Sequence, residues 1–185
     1  LELDKNGNWV LVKKEVLEEP FTIGFSEVNK RWNSFYSYEP EIMCGRRTGI
    51  VTFKNGDIYG HNYKGAGYNT FYGTLYPSQL EVPSNEVPSN NKIYQAFSEE
   101  SDDIWDVEFK TRNNQLSTLS SSDFDKRENI YYSDILNDVN SPGGIIEGDR
   151  IRDVSLVAKL NISQDTFTRL FGVNFNIVPS HRSNK

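Results

Sequence analysis

The sequence predicts an all-β fold of antiparallel sheets with at most short helical turns. Aromatic residues make up 13% of the chain, so much of the core falls to Tyr and Phe, which favour strands. Ala and Met, which favour helices, are nearly absent. Short β-forming runs are separated by turn-prone residues roughly every dozen positions. A sandwich, a partly closed barrel and a propeller fragment all fit this pattern.

The N-terminal part contains short candidate strands rich in aromatic residues. In the candidate strand over 31–38, strict alternation places Trp32, Tyr36 and Tyr38 on one face. Phe35 falls on the opposite face. Pro40 then blocks regular continuation, because proline cannot donate a backbone hydrogen bond inside a sheet. The candidate strands of this part are 9–12, 21–25 and 31–38.

The clearest local signal is a hairpin over residues 49–60. Asn55-Gly56 separates two β-forming runs, and a type I′ turn needs positive φ at both central positions. Opposite charges then face each other beside the turn, and an apolar pair follows, each pair worth roughly 0.2–1 kcal/mol. The predicted register pairs Lys54 with Asp57, Phe53 with Ile58, Thr52 with Tyr59 and Ile50 with His61.

Two irregular stretches follow the hairpin. Residues 65–73 are rich in Gly, Tyr and Asn, which predicts a tight, packed loop. The sequence Glu-Val-Pro-Ser-Asn occurs at 81–85 and again at 86–90. The duplication is too short for a structural repeat, so it indicates a loop insertion or an extended sheet edge where proline prevents pairing.

The remaining chain alternates apolar and polar residues in several segments. The charged segment 123–128 is predicted to begin a short helix capped by Ser121 or Ser122. Glu99, Glu100, Asp102 and Asp103 are interpreted as a solvated run of charge. The candidate strands are 92–97, 104–110, 115–119, 131–136, 151–160 with Val154, Leu156, Ala158 and Leu160 on one face, and 171–177 with Phe171, Val173, Phe175 and Ile177 on one face.

Length and composition set the organisation. A chain of 185 residues fits a single β-rich domain over 1–185. Residues 1–25 are expected to form a strand arm shared with a neighbour, and 179–185 a flexible tail. Because the sequence begins without Met, we expect it to be part of a longer chain. Its net charge of −6 disfavours coating of nucleic acid, and no apolar run approaches the ~18 residues of a membrane span.

A nucleophilic site would have to use a histidine or the single cysteine. His61 falls on a strand face and His181 in the tail, so neither is matched to a nucleophile. Cys44 lies near Arg46 and Arg47, which favour a thiolate, but no base is matched to it. One cysteine also excludes an internal disulfide and ordinary cysteine-based zinc sites.

Paired carboxylates are the other candidate for chemistry, because β-rich glycosidases use two of them. Glu39 with Glu41, and Asp106 with Glu108, lie two residues apart. Asp123 with Asp125, or the acidic run, offers oxygen ligands for Ca²⁺, but the spacing matches no EF-hand. We interpret all of these as solvated surface charge. The sequence therefore predicts no catalytic residue, no cofactor-binding residue, no metal ligand and no enzymatic activity.

Other short motifs have the wrong context. Glycines at 65–67 and 143–144 do not follow a strand and open a helix, as a phosphate-binding loop requires. The glycosylation pattern Asn161-Ile162-Ser163 is a frequent chance match. Exposed aromatic and Asn content on short strands instead favours a binding or assembly module.

Longer stretches carry a resemblance to a known family. The run from Phe25 to Asn62 is similar to large virion proteins of crAss-like and related short-tailed phages of gut bacteria. Within it, the similarity lies in Trp32-Asn33-Ser34-Phe35-Tyr36-Ser37-Tyr38-Glu39-Pro40-Glu41 and in residues 51–62. It extends to 69–73, to 123–128 before Tyr131-Tyr132, and to 148–152. The duplicated pentapeptide is a departure from that pattern.

The resemblance implies a structural protein of the tail muzzle or nozzle, which surrounds the distal DNA-exit channel. It implies a homo-oligomeric ring, neighbouring tail proteins as partners, transient contact with DNA, synthesis in the host cytoplasm and a final location in the virion. It implies neither a cofactor nor membrane insertion. A carbohydrate- or receptor-binding β-domain of a phage or bacterial surface protein is the alternative, and it should expose coplanar aromatic rings in a groove.

Overall fold

The strands gather into two compact units, Leu1–Tyr63 and Lys64–Lys185. The computed structural model describes residues 2–3, 9–10, 21–47, 49–61, 65–138 and 147–180. Within them all sheets are antiparallel, none closes into a barrel, and the helix content is one 3₁₀ turn. The predicted all-β fold is confirmed. The single domain over 1–185, the arm over 1–25 and the tail over 179–185 stay predictions.

The first unit is made of two hairpins and a three-stranded sheet. Of the first predicted strand, only Trp9 and Val10 lie within the described residues. The pairs are β1 (Glu2–Leu3) with β2 (Trp9–Val10) and β3 (Thr22–Ser26) with β4 (Arg31–Tyr36), and the sheet holds β5 (Ile42–Arg46), β6 (Gly49–Lys54) and β7 (Asp57–His61) in that order.

The hairpin of β6 and β7 has the register predicted for it. Lys54 pairs with Asp57, Phe53 with Ile58, Thr52 with Tyr59 and Ile50 with His61. Both turn residues have positive φ, 54° at Asn55 and 85° at Gly56. Glu41 braces the turn, because its Oε1 accepts a 3.0 Å hydrogen bond from the Asn55 backbone N–H.

The second unit contains a small hairpin and two larger sheets. The small hairpin pairs β8 (Thr70–Phe71) with β9 (Thr74–Leu75). The first large sheet has the order β10 (Ser78–Ser84), β17 (Leu156–Ile162), β12 (Asp106–Thr111), β13 (Leu116–Leu119). In the second large sheet, β11 (Lys92–Ser101) pairs along its length with β18 (Leu170–Pro179). On its other side, β11 pairs with β15 (Ile130–Asp134) and β16 (Ile151–Asp153). The strand β14 (Asp125–Arg127) pairs with β15.

The two large sheets share one hydrophobic core, as in a β-sandwich. Phe97 of β11 is fully buried, and its ring centroid lies 5.3 Å from that of Phe109 on β12 and 5.4 Å from that of Phe175 on β18. Edge-on ring contacts of this kind add about 0.5–1.5 kcal/mol each beyond the area that they bury. The rest of the buried cluster adds Tyr94 and Trp105 to aliphatic residues, most of which come from β12, β13, β16 and β17.

The predicted single strand over 151–160 is wrong, because the chain changes sheets within it. β16 belongs to one sheet and β17 to the other, with Val154 and Ser155 between them. Asp153 marks the corner: its Oδ1 accepts from the Val154 N–H (2.6 Å) and its Oδ2 from the Asn113 N–H (2.8 Å). Leu156, Ala158 and Leu160 do share a buried face, as predicted.

Two further predicted details are corrected. The 3₁₀ helix Ser121–Asp123 begins at the N-cap Ser120, rather than at Ser121 or Ser122, because the Asp123 carboxylate accepts hydrogen bonds from Ser120. The charged segment that follows is β14, not helix. In β18, a register shift next to β11 leaves Phe171 exposed, while Leu170 packs against the core.

The duplicated pentapeptide adopts two conformations. The first copy lies mostly in β10, an edge strand among the described residues, so the predicted sheet edge is found, but Pro83 pairs in register with Val157 and does not prevent pairing with β17. The second copy is a turn in which Val87 has φ 50° and its carbonyl accepts from the Asn90 N–H (3.1 Å). The buried Lys92 ammonium holds this turn, donating to the carbonyls of Glu86 and Val87.

Candidate assembly surfaces

The β3–β4 hairpin carries a row of exposed aromatic rings on its outer side. A bulge between the pairs Gly24–Ser34 and Phe25–Trp32 places Trp32 on the same face as Phe35. The predicted grouping of Trp32 with Tyr36 is therefore wrong, since one extra residue in a strand reverses its alternation. Phe21, Phe25, Trp32 and Phe35 are 65%, 48%, 64% and 76% exposed. We call these four residues the aromatic face.

The rings of the aromatic face pack against one another at steep angles. The centroids of Phe25 and Trp32 lie 5.0 Å apart with 65° between the ring planes. Those of Phe21 and Phe35 lie 5.8 Å apart with 55° between the planes. The face is therefore a rough apolar surface and offers no coplanar platform for a sugar ring.

The inner side of the same hairpin contacts the three-stranded sheet through aromatic and polar groups. Gly24 allows the Tyr36 ring to lie close, since a Cβ there would come within 3.2 Å of the ring. Tyr36 is 5.5 Å from Tyr38, and Tyr38 stacks on His61 with 5.2 Å between centroids. His61 Nε2 and the buried Thr52 hydroxyl share a 2.7 Å hydrogen bond.

The outer side of the three-stranded sheet is apolar as well. Register places Ile42, Phe53 and Ile58 side by side across β5, β6 and β7, and Cys44 beside Val51. Ile42 and Ile58 are 61% and 69% exposed. We call Ile42, Phe53 and Ile58 the aliphatic face.

The structure does not bring the predicted nucleophile candidates together. Burial lowers the pKa of His61, whose imidazole faces Thr52 and Tyr38 on the inner side of the sheet. Cys44 is exposed and lies on the outer side of that sheet, paired with Val51. A thiolate–imidazole pair is therefore impossible between these two residues. His181 lies outside the described residues.

The carboxylates of the predicted pairs take part in separate structural contacts. Glu41 braces the β6–β7 turn, and Asp106 accepts a hydrogen bond from the Ser121 N–H (3.1 Å). Glu108 pairs in register with Lys159, which in turn pairs with Glu81. Glu41, Asp106 and Glu108 thus each have a separate neighbour, which is unlike the shared focus of a glycosidase acid and base.

The interpretation of the acidic run as solvated is wrong for Glu99. Its side chain is fully buried, because Phe97, Glu99 and Ser101 share the core-facing side of β11. Glu99 Oε1 accepts hydrogen bonds from the Trp105 backbone N–H (2.9 Å) and the Ser101 hydroxyl (3.4 Å). Glu99 Oε2 has no hydrogen-bond partner among the described residues. Burial raises the pKa of Glu99 to about 7. Extending the alternation from Phe97 was the signal that could have found it.

Asp102 and Asp103 of the acidic run accept hydrogen bonds from the 164–169 segment. Arg169 Nε donates to Asp102 Oδ2 at 2.9 Å, and this hydrogen bond lowers the pKa of Asp102. Asp103 Oδ2 accepts from Gln164 (3.2 Å) and Thr168 (3.0 Å). These carboxylates therefore have structural partners.

The cation candidates have structural neighbours too. Hydrogen bonds from the Ser120 backbone N–H and hydroxyl lower the pKa of Asp123, and Asp125 lies 3.9 Å from Arg127. Asp125 and Arg127 also line an open depression of about 570 Å³. In the part of the chain that the structure describes, no three His, Cys, Asp or Glu side chains are grouped to hold a metal ion.

The 65–73 loop is anchored to the 164–167 segment. The Tyr68 N–H donates to the Asp165 carbonyl (2.8 Å), Asn69 Nδ2 donates to the Gln164 carbonyl (3.1 Å), and Tyr68 packs on Phe167. Asn161 of the glycosylation pattern lies within β17, and its side-chain oxygen is buried. Gly143 and Gly144 lie outside the described residues.

Comparison with protein families finds a similarity within the second unit. Residues 67–138 match the model of the crassvirus muzzle protein C-terminal domain. The predicted muzzle resemblance is confirmed. This muzzle-type region runs from β8 to β15, and β16, β17 and β18, which complete both sheets, lie beyond it. A search of curated proteins found no match.

The muzzle match indicates a structural role in a phage tail and a location in the virion tail. The described part of the chain contains no helix able to cross a membrane.

Proposed function

We propose that the chain is a structural component of the phage tail muzzle, at the distal DNA-exit channel, and acts through homo-oligomeric assembly into a ring. The observation that carries this proposal is the match of residues 67–138 to the muzzle protein C-terminal domain. The protein is made in the host cytoplasm and built into the virion. Its partners are other copies of itself and neighbouring tail proteins.

The charge of the chain suits a channel through which DNA passes. A net charge of −6 repels the phosphate backbone, so contact with DNA is transient. A protein that gripped the DNA would instead present clustered Lys and Arg.

A non-enzymatic role is supported by how the candidate residues are used. His61 packs inside the first unit, Glu41 braces a turn, and Asp102 holds Arg169. Each of these side chains has a structural task. The alternative of a carbohydrate-binding domain has less support, because the exposed aromatic rings meet at 55° and 65° and offer no coplanar platform.

The proposal is tested by locating the protein in purified virions. Antibodies raised against the second unit should label the distal end of the tail axis in electron micrographs, with antibodies against the major capsid protein as the control. Native mass spectrometry of the detached tail tip should give the parent chain as a multiple of its own mass. Label on lateral fibres or on the capsid would contradict the proposal.

A further inference from the structure

The described residues of the first unit include few with buried side chains. Among its described residues only Tyr38, Thr52 and His61 have buried side chains, and two of these three are polar. In the second unit, by contrast, twelve hydrophobic residues form a buried cluster. A small unit with so few buried groups gains little hydrophobic stabilisation alone, so its exposed apolar residues are candidates for burial in an assembly.

The first unit exposes two different apolar surfaces on its two outer sides. The aromatic face leaves on the order of 500 Å² uncovered, taking ~200 Å² for each ring. That area lies at the upper end of the largest patch on a typical monomer and supplies more than half of the ~800 Å² that each partner buries in a stable interface. The aliphatic face lies on the other side of the unit. None of the seven residues that form the two faces is charged.

We propose that the aromatic face of one copy covers the aliphatic face of the next copy. This inference rests on the proposed ring function and assigns surfaces to it. One contact of this kind buries both faces of every copy, whereas covering them with other proteins would require two separate partners. Because the two faces differ, the contact is heterologous, and a heterologous contact generates a closed ring when its rotation closes. An isologous dimer would bury one face and leave the other exposed.

The contact is tested with two double variants of the 185-residue chain. Trp32→Thr with Phe35→Thr removes the aromatic face, and Ile42→Thr with Ile58→Thr removes the aliphatic face. Thr keeps the strand preference at these exposed positions. We expect the wild-type chain to self-associate in sedimentation velocity, and each double variant to sediment as a monomer. The loss should be at least about 30-fold in dissociation constant for each ring removed from the centre of the contact.

Mixing the two variants separates the proposed contact from other modes of assembly. Each variant keeps one intact face, and these two faces are complementary, so an equimolar mixture should form a 1:1 dimer and nothing larger. A mixture that stays monomeric, or one variant that dimerises alone, would overturn the proposal. So would a wild-type chain that is monomeric at every concentration tested, which would assign the faces to other tail proteins.

Matched controls lie in the second unit. Phe171→Thr and Val157→Thr remove exposed apolar strand residues, 57% and 40% exposed, and should leave self-association unchanged. If a double variant loses its fold by circular dichroism, the single changes Phe35→Thr and Ile58→Thr replace it in the same mixing experiment. A chain that forms rings through other surfaces contradicts this contact alone, whereas absence from the tail tip contradicts the proposed function.

Discussion

Glu99 places a carboxyl group among aromatic and aliphatic core residues of the sandwich. One carboxyl oxygen accepts hydrogen bonds from the Trp105 backbone N–H and the Ser101 hydroxyl, and the other oxygen has no partner among the described residues. Desolvation is the largest cause of its raised pKa, and the nearby Asp106 carboxylate raises it further, while the two hydrogen bonds act in the opposite direction. At neutral pH the group is therefore close to half ionised within the core.

The raised pKa makes stability depend on pH at this one residue. The folded-state pKa of about 7 lies above the ordinary value of 4.5, so the folded protein binds a proton more tightly than the unfolded chain. Stability from the neutral acid is fully present below pH 4.5 and is lost as pH rises through about 7, by roughly 3 kcal/mol. In Glu99→Gln this dependence should disappear, so the variant should gain stability over the wild type between pH 5 and 8.

The measurement is urea unfolding of both proteins at several pH values, with amide exchange of β11 and β12 reporting on the sandwich. The difference between the two proteins reports on Glu99 together with its interaction with the Asp106 carboxylate. Glu100→Gln, at the exposed neighbouring position, is the matched control and should follow the wild type. A parallel pH dependence in wild type and Glu99→Gln would contradict the expectation.

The sequence predicts the partner of a residue well where the local pattern decides it, as for His61. It pairs with Ile50 because the Asn-Gly turn fixes the register of the hairpin. The burial of Glu99 was not predicted, because four acidic residues within five positions suggest a solvated segment. Only the packing of the first large sheet over β11 decides that one of them faces inward.

At the scale of elements, the β6–β7 turn allows a test of backbone conformation. Replacing Asn55-Gly56 with Val-Val puts β-branched residues at φ values of 54° and 85°, a left-handed conformation that costs roughly 1–2 kcal/mol per residue. We expect the hairpin to lose about 2–4 kcal/mol of local stability. Faster amide exchange along β6 and β7 would measure the loss.

Gly45→Val provides the control for that substitution. Gly45 lies in β5 of the same sheet, its φ is outside the positive region, and a Cβ there would meet no atom within 4 Å. Valine favours strands, so exchange along β5 and β6 should be unchanged or slower. Equal exchange rates in the Val-Val variant and the wild type would show that the turn residues do not hold this hairpin.

Elements were less predictable where the chain turns from one sheet to the other. Val154, Leu156, Ala158 and Leu160 keep one alternation, whereas Ile151 and Asp153, which are buried as well, lie in the opposite phase. The four apolar residues therefore suggest one continuous strand, and the change of phase after Asp153 is the signal that could have shown the corner. The conformation of the duplicated pentapeptide could not be predicted. Identical residues form an edge strand in the first copy, which pairs with β17, and a turn in the second copy.

At the scale of the whole molecule, hydrophobic burial is unevenly divided. The second unit has the Phe97–Phe109–Phe175 cluster between its sheets, whereas the first unit has the small Tyr38–His61 stack. Composition predicted the all-β class, because aromatic residues are abundant in both units. Composition could not predict this division, because the exposed Phe35 and the buried Phe97 are the same type of residue and both lie in predicted strands.

This division predicts that the two units respond differently to protein concentration. If copies cover each other's first units, amides of β3 to β7 should exchange more slowly as the concentration rises, because association stabilises only the state that it binds. Amides of β11, β12 and β17 lie in the sandwich core and should be protected at every concentration. Hydrogen exchange with mass spectrometry over a dilution series measures both sets in one sample. Protection of β3 to β7 that is independent of concentration would mean that the first unit is stable without a neighbour, although only three of its described side chains are buried.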